Sequence, residues 1–500
     1  MSNTFVYQFD TPTFKGTATV PTGLFINGKF VEPVEGGTID VINPANGKLL
    51  TKISAGTAKD VDIAVEAARV AYKERWGLKV PGAQRGRMLN KLADLMDQHQ
   101  QELAALEALD NGKAYNVAMA ADLPSSAAVI RYYAGWADKI QGKTIETTEK
   151  KMAYTRHEPF GVVGAIIPWN FPLNMLTWKI GPALATGNAV VLKPSELTPL
   201  TALRLCSLIN EAGFPPGVLN IVNGYGHTVG QAISEHMVIQ KVAFTGSTMT
   251  GRKVMEAAAK SNLKNVSLEL GGKSPSIVFD DANLEQTVKW VAHGIYFNHG
   301  QTCTAGSRIF IQAGIYDTFV QKFKEHSLTL KLGDPFETTT YQGPQVSQTQ
   351  FDRIMGYIES GKSDGANLLI GGARHGTEGY FIQPTIFTEC KPSMKIVREE
   401  IFGPVAAVAR FTTEEEVIEL ANDTSYGLAC CVFTQDVNRA IRVAHSIEAG
   451  TAWVNCANHS EVAIPFGGFK QSGIGRELGE YALEHYTNVK AVHVNIGYEL

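Results

Sequence analysis

Between residues 160 and 270 strand-like and helical stretches alternate. Short runs rich in β-branched residues, Val162 to Ile167, Ala189 to Leu192, Val218 to Val222 and Lys241 to Phe244, are separated by helical stretches such as Pro199 to Ala212. Continuously apolar strands are buried on both faces, and intervening helices supply the cover. The pattern predicts a parallel, doubly wound α/β sheet. A second alternating block follows Glu269, with strands expected at Ser276 to Phe279, Arg308 to Gln312, Tyr380 to Phe387, Leu428 to Phe433 and Thr451 to Asn455. Two such blocks in 500 residues exceed one core and point to two or three domains.

Ahead of the first block, Val61, Val65, Ala68 and Tyr72 recur at helical spacing behind Thr57, a candidate N-cap. A second helix is expected from about Arg85 towards Ala108, stopping at Asn111-Gly112. Lys139 to Arg156 alternates in hairpin fashion, and Asn488 to Ile496 reads as a closing strand. Exposed strand edges of this kind invite pairing with another chain.

Composition narrows the partners. A net charge of −4 gives no electrostatic reason to expect nucleic acid or an anionic membrane. No apolar run approaches the ~20 residues that span a bilayer. Met1 to Phe14 contains Asp10 and no Arg, unlike a transit peptide. Six cysteines without zinc spacing argue for a reducing, cytoplasmic setting with neither structural disulfides nor a metal.

One cysteine stands apart. Cys303 lies in Phe297-Asn298-His299-Gly300-Gln301-Thr302-Cys303-Thr304-Ala305-Gly306-Ser307-Arg308, among small and polar neighbours that leave room beside the sulfur. Upstream runs Leu268-Glu269-Leu270-Gly271-Gly272-Lys273-Ser274-Pro275, a carboxylate before two glycines. A thiol with a nearby carboxylate suits covalent catalysis, in which activated water later clears the acyl group. Reactivity requires thiolate, so either a lowered thiol pKa or a nearby base is expected. These strings resemble the aldehyde dehydrogenase superfamily, and the resemblance extends over roughly residues 20 to 495. It implies a broad-specificity enzyme that oxidises aldehydes to carboxylic acids with NAD.

The resemblance assigns roles. Cys303 would attack the carbonyl, giving a thiohemiacetal and then a thioester. Asn170, in Ile166-Ile167-Pro168-Trp169-Asn170-Phe171-Pro172, would donate to the oxyanion beside the backbone N–H of Cys303. Glu269 would activate water, favouring hydrolysis over transfer to coenzyme A. For the cofactor, Asn223 to Gly230 gives only an imperfect glycine fingerprint, with Gly226 and Gly230 one residue too far apart. Phe244 to Gly251 follows a strand and opens a helix, so Ser247 would meet a phosphate. Lys193 and Glu196 would hold the adenosine ribose, and a carboxylate there repels a 2′-phosphate, making NADP the poorer fit. Ile167, Trp169, Gly226, Gly230, Phe244, Gln350, Arg353, Glu400 and Phe402 complete the expected cofactor set.

Phe171, Met175, Trp178, Phe297 and Phe466 are expected to form an apolar substrate funnel. Asn458 and Ser460, with Asn174 facing them, suggest a wider or more polar mouth, and His459 stands as a candidate contact. Lys179 and Glu477 would form a buried pair behind Glu269, either a proton route or a structural ion pair. The implied organisation is a Rossmann-type cofactor domain (1–138 and 159–270) and a second α/β catalytic domain (271–480). A small β oligomerisation arm (139–158 and 481–500) serves a homotetramer, a dimer of dimers, though the sequence does not separate dimer from tetramer. Three rival readings stay open: a non-catalytic relative, a cysteine esterase needing no NAD, and a semialdehyde or acylating enzyme.

Overall fold

The computed structural model describes residues 4–500. Its first sheet has eight strands in the order Gly473–Ile474, Asn265–Glu269, Lys241–Thr245, Val162–Ile166, Ala189–Lys193, Leu219–Ile221, Leu24–Ile26 and Lys29–Val31. The five central strands run parallel, as their apolar runs predict. Every residue of Val162–Ile166 and Ala189–Lys193 is buried. From Val162–Ile166 the chain builds outward through Ala189–Lys193 to Leu219–Ile221, then returns to the other side with Lys241–Thr245. Strand order therefore reverses between Val162–Ile166 and Lys241–Thr245. Ligands of open α/β sheets bind beyond the carboxyl ends of the strands at such a point.

The second sheet has seven strands in the order Asn367–Ile370, Thr385–Thr388, Val405–Phe411, Arg308–Gln312, Pro275–Val278, Ala429–Phe433 and Thr451–Val454. All are parallel except the edge strand Asn367–Ile370. The strand expected from Tyr380 begins only at Thr385, because Pro384 interrupts the run and has no N–H for a ladder.

The helix expected across 57–75 forms as Ala58–Glu74, with the Thr57 backbone N–H donating to the Asp60 carboxylate at 2.8 Å. The single helix expected from Arg85 is instead two, Gly82–Gln98 and Gln100–Asn111, broken at His99 and ending at Gly112. Both halves keep apolar spacing, so a one-residue break leaves little trace in the pattern. Two N-terminal hairpins, Thr4–Asp10 with Lys15–Pro21 and Gly37–Asn43 with Lys48–Ala55, were not expected.

A third, antiparallel sheet joins Thr144–Thr148, Lys151–Pro159 and Thr487–Asn495. It leaves Ile145, Met152 and Val489 exposed. One short strand crosses the expected domain boundary. Gly473–Ile474 pairs with the first sheet, Gly473 opposite Glu269 and Ile474 opposite Leu268, and so carries the segment containing Glu477 to that sheet's edge. No helix among the described residues is long and apolar enough to cross a membrane.

Candidate active site

A cavity of about 520 Å³ opens where the first sheet reverses its order. Its wall includes Pro168 to Phe171 after one central strand, Thr245 to Ser247 at the end of the next, and Glu269 to Gly271 at the end of a third. Cys303, Glu400 and Phe402 enter from the second α/β block. The cavity thus gathers segments distant in sequence on one cleft between the two sheets.

The loop that presents Cys303 is locked. Helix Leu284–Tyr296 buries Val288, Val291 and Ile295, then gives way to three successive left-handed residues, Asn298, His299 and Gly300 (φ 50°, 62° and 70°). Asn tolerates this region, and glycine enters it without steric penalty. At Gly300 any Cβ would collide with the carbonyl oxygen of Gly403. The Asn298 amide donates to the Asn170 carbonyl at 2.9 Å. Burial holds the His299 imidazole down at about 3, so it is neutral, and its Nε2 accepts from Gly343 N–H at 2.9 Å. Gln301 accepts from Val346 N–H at 3.0 Å. Local sequence gives these loop residues no role, and the Asn-His-Gly run is the one signal of the left-handed turn.

Asn170 sits just before helix Pro172–Ala185 and is buried. Its side-chain amide donates to the Gln301 carbonyl at 2.9 Å while lining the cavity beside Cys303. The preceding Trp169 carbonyl is held by the Asn111 amide at 2.7 Å. The Cys303 thiol is pushed up to about 12, first by burial and then by the carboxylates of Glu269 and Glu400; nearby backbone N–H groups of Cys303 and Thr304 act in the opposite direction. Burial beside two carboxylates works against a resting thiolate, which favours the nearby base over a lowered thiol pKa.

Glu269 ends strand Asn265–Glu269 and is 4 % exposed, with no protein partner for either carboxylate oxygen. Burial raises its carboxyl well above the usual range, and the Glu477 carboxylate adds to this against the pull of Lys179 and Arg476. Lys179 pairs with Glu477 in the interior and donates to Thr245 Oγ1 at 2.7 Å. Neither Lys179 nor Glu477 lines the cavity; both lie behind it.

The expected cofactor residues divide into two groups. Trp169, Ser247, Gln350, Arg353, Glu400 and Phe402 line the cavity. Trp169 and Phe402 meet edge to face at 5.2 Å. Glu400 accepts from Gly272 N–H at 2.9 Å, and burial lifts its carboxyl to about 7. A Cβ at Gly271 would overlap this carboxylate. Arg353 donates to the Glu400 carbonyl at 3.1 Å. Ile167, Lys193, Glu196, Gly226, Gly230 and Phe244 lie outside the cavity, along the carboxyl side of the first sheet. Lys193 Nζ pairs with Glu196 at 2.9 Å, and a Cβ on Gly230 would stand 3.7 Å from the Lys193 side chain. Ser247 caps helix Thr248–Lys260 by accepting from Thr250 N–H at 3.2 Å. A cation beside a carboxylate, close glycine backbone and a helix N-terminus together fit the hydroxyls and phosphates of a dinucleotide.

At the mouth, Phe171 stacks on Phe297 at 6.0 Å and Trp178 meets Phe466 edge to face at 5.3 Å. Met175 completes this apolar wall. The expected polarity is largely consumed within the wall itself. Asn458 accepts from Thr304 Oγ1 at 2.8 Å, and Asn174 lies between Asp122 (3.1 Å) and Ser126 (2.9 Å). His459 is exposed and stands 3.7 Å from Glu461. Sequence reading missed Asp122, which lines the cavity, and its buried partner Lys113 at 2.6 Å. Lys113 also stands 4.3 Å over the Phe171 ring.

The aldehyde dehydrogenase family pattern matches residues 30–492. An aldehyde dehydrogenase of Agaricus bisporus is 65% identical over 500 residues, covering 100% of both chains. One from Emericella nidulans is 58% identical over 497 residues, covering 99% of each. The structure of the NAD+ complex of a Bacillus cereus aldehyde dehydrogenase superposes with a TM-score of 0.94 at 50% identity, over 95% of this chain and 97% of that one. With the sheet order and the cavity described above, these matches establish that the chain belongs to the aldehyde dehydrogenase family.

Proposed function

We propose that the protein is a broad-specificity, NAD-dependent aldehyde dehydrogenase in which Cys303 is the nucleophile, Asn170 the oxyanion donor and Glu269 the base. One observation carries the reading: Cys303, Asn170 and a Glu269 carboxyl without protein partners line the same cavity. The thiol is held near 12 at rest, so attack needs a base. Ionised Glu269 takes the proton while sulfur bonds to the aldehyde carbon. Asn170 and the Cys303 N–H meet the developing oxyanion, an interaction of the kind whose loss typically costs ~3–4 kcal/mol.

When bound, the nicotinamide supplies the hydride acceptor that converts the thiohemiacetal to a thioester. Ile167, Trp169, Lys193, Glu196, Gly226, Gly230, Phe244, Ser247, Gln350, Arg353, Glu400 and Phe402 would hold the dinucleotide. Glu269, returned to its ionised form, then takes a proton from water. The water oxygen bonds to the thioester carbon, the C–S bond breaks, and the acid leaves. Phe171, Met175, Trp178, Phe297 and Phe466 exclude bulk water from the acyl group. Lys179 and Glu477 serve as the first carriers of the Glu269 proton.

Preference for NAD over NADP is supported by the Glu196 carboxylate beside Lys193. A homotetramer is supported by the apolar residues exposed on the three-stranded sheet, and a cytoplasmic setting by six free cysteines. The test follows NADH formation with a panel of aldehydes, with NAD or NADP, and without coenzyme A. Turnover is expected with NAD, at least tenfold lower kcat/KM with NADP, and a narrowed gap in Glu196→Gln. Cys303→Ala is expected to bind NAD and form no NADH. Ester cleavage without aldehyde oxidation would overturn the proposal.

A further inference from the structure

Behind Glu269 the first sheet carries a buried polar strip that continues past Lys179 and Glu477 into residues the reaction as described does not use. Strands Lys241–Thr245 and Asn265–Glu269 are parallel, with Thr245 opposite Glu269, Ala243 opposite Ser267 and Lys241 opposite Asn265. Alternate residues share a face, so Glu269, Ser267, Thr245 and Lys241 project to the same side. Lys179 sits there from helix Pro172–Ala185, bound to Thr245 and paired with Glu477. Lys241, 1 % exposed, adds a second amine within electrostatic reach of the same Glu477, and its Nζ stands 5.8 Å from the centre of the Tyr486 ring.

Next along the chain from Tyr486 is His485, which is half-buried. A Cβ on Gly475 would stand 3.3 Å from the His485 ring and 3.2 Å from Ser267 Cβ, so the imidazole lies just across Gly475 from the strip. Lys241 acts electrostatically on His485, with Glu484 and Arg476 also facing that ring. Both Glu269 oxygens, Glu477 Oε2 and the Tyr486 hydroxyl are buried without protein hydrogen-bond partners. Buried polar atoms without protein partners are the usual hosts of ordered bridging water.

We infer that this strip carries the proton onward from the Lys179–Glu477 pair, through Lys241 to His485 at the surface. The inference rests on Glu269 acting as the base. Each turnover leaves one proton on the Glu269 carboxyl when water adds to the thioester carbon and the C–S bond breaks. That proton moves to the Glu477 carboxylate, then to the Lys241 amine, then to the His485 imidazole and into solvent; each carrier returns to its starting form. Burial holds the Lys241 amine down at about 7, with the neighbouring Lys179 acting in the same direction and Glu477 against it. Burial, with Lys241 and Arg476 beside it, holds the His485 imidazole below its usual range, so a proton reaching it passes on to solvent. Lys241 and His485 touch neither substrate nor cofactor and are positioning residues for proton release.

The experiment follows a single turnover of the full-length enzyme with acetaldehyde and NAD in weak buffer. NADH absorbance reports acylation, acid quench reports acyl-enzyme decay, and an indicator dye reports protons reaching solvent. In Lys241→Met the NADH burst is expected at full amplitude, with acyl-enzyme decay and proton release slowed about tenfold and the KM for NAD unchanged. In His485→Ala proton release is expected to slow severalfold and to be restored by added imidazole, a rescue that a merely structural role would not give. Because His485 is half-exposed, that variant tests the path even if Lys241→Met fails to fold. Wild-type decay and proton release in His485→Ala, unmoved by imidazole, would overturn the inference. A Glu269→Gln control with wild-type acyl-enzyme decay would instead remove the reading of Glu269 on which the path depends.

Discussion

At the scale of single residues, Cys303 and Glu269 share one environment that opposes charge on both. Burial pushes the thiol up to about 12 and the carboxyl well above its usual range, so charge on either is disfavoured. The rate of acyl-enzyme hydrolysis should therefore rise with pH as Glu269 ionises, and Glu269→Gln should remove that limb. Glu400 gives a stability signature. Its folded carboxyl titrates near 7, above the ~4.3 of an unfolded glutamate. Between those values the folded form keeps a proton that the unfolded form releases, so the contribution is full at low pH and is lost as pH rises through 7. Cofactor-free Glu400→Gln should accordingly lose less Tm between pH 5 and pH 8 than the parent, by a few degrees; an identical loss would contradict the assignment. Cys303, Glu269 and Asn170 were legible because each lies in a specific string. Thr245, Asn298, His299 and Lys113 were not, because their partners are Lys179, Asn170, Gly343 and Asp122, which only folding brings near, or which give no local pattern.

At the scale of elements, the site depends on strand ends and the loops that leave them. The central strands were readable because burial on both faces makes a continuous apolar run. The break at His99, the late start at Thr385 and the crossing of Gly473–Ile474 into the first sheet were not. A one-residue break, a proline and a two-residue edge strand barely change composition. The loop before Cys303 makes the sharpest element-level prediction. Gly300 has φ 70° and no space for a Cβ beside Gly403. Gly300→Ala should displace the loop, lower kcat at least tenfold and reduce stability by about 2 kcal/mol or more. Thermal unfolding and NADH assays on the variant would check both; unchanged values would show that the loop does not set the sulfur.

At the scale of the whole molecule, two α/β sheets face each other across the cavity, and a third sheet stands apart with apolar side chains outward. Val489 is 62 % exposed on strand Thr487–Asn495, in the same sheet as the exposed Ile145 and Met152, and that sheet's edge is open to pairing. If that sheet assembles the oligomer, Val489→Asp should give smaller species by sedimentation while each chain keeps its NADH burst. An unchanged assembly would move the interface elsewhere. The central claim, that one cavity makes a thioester on Cys303 and clears it through Glu269, has a direct test in a stopped-flow record of Glu269→Gln with aldehyde and NAD. The account predicts that the first equivalent of NADH forms slowly, because Cys303 has lost its base, and that steady turnover falls at least 100-fold below the parent. Steady turnover at the parental rate would contradict it.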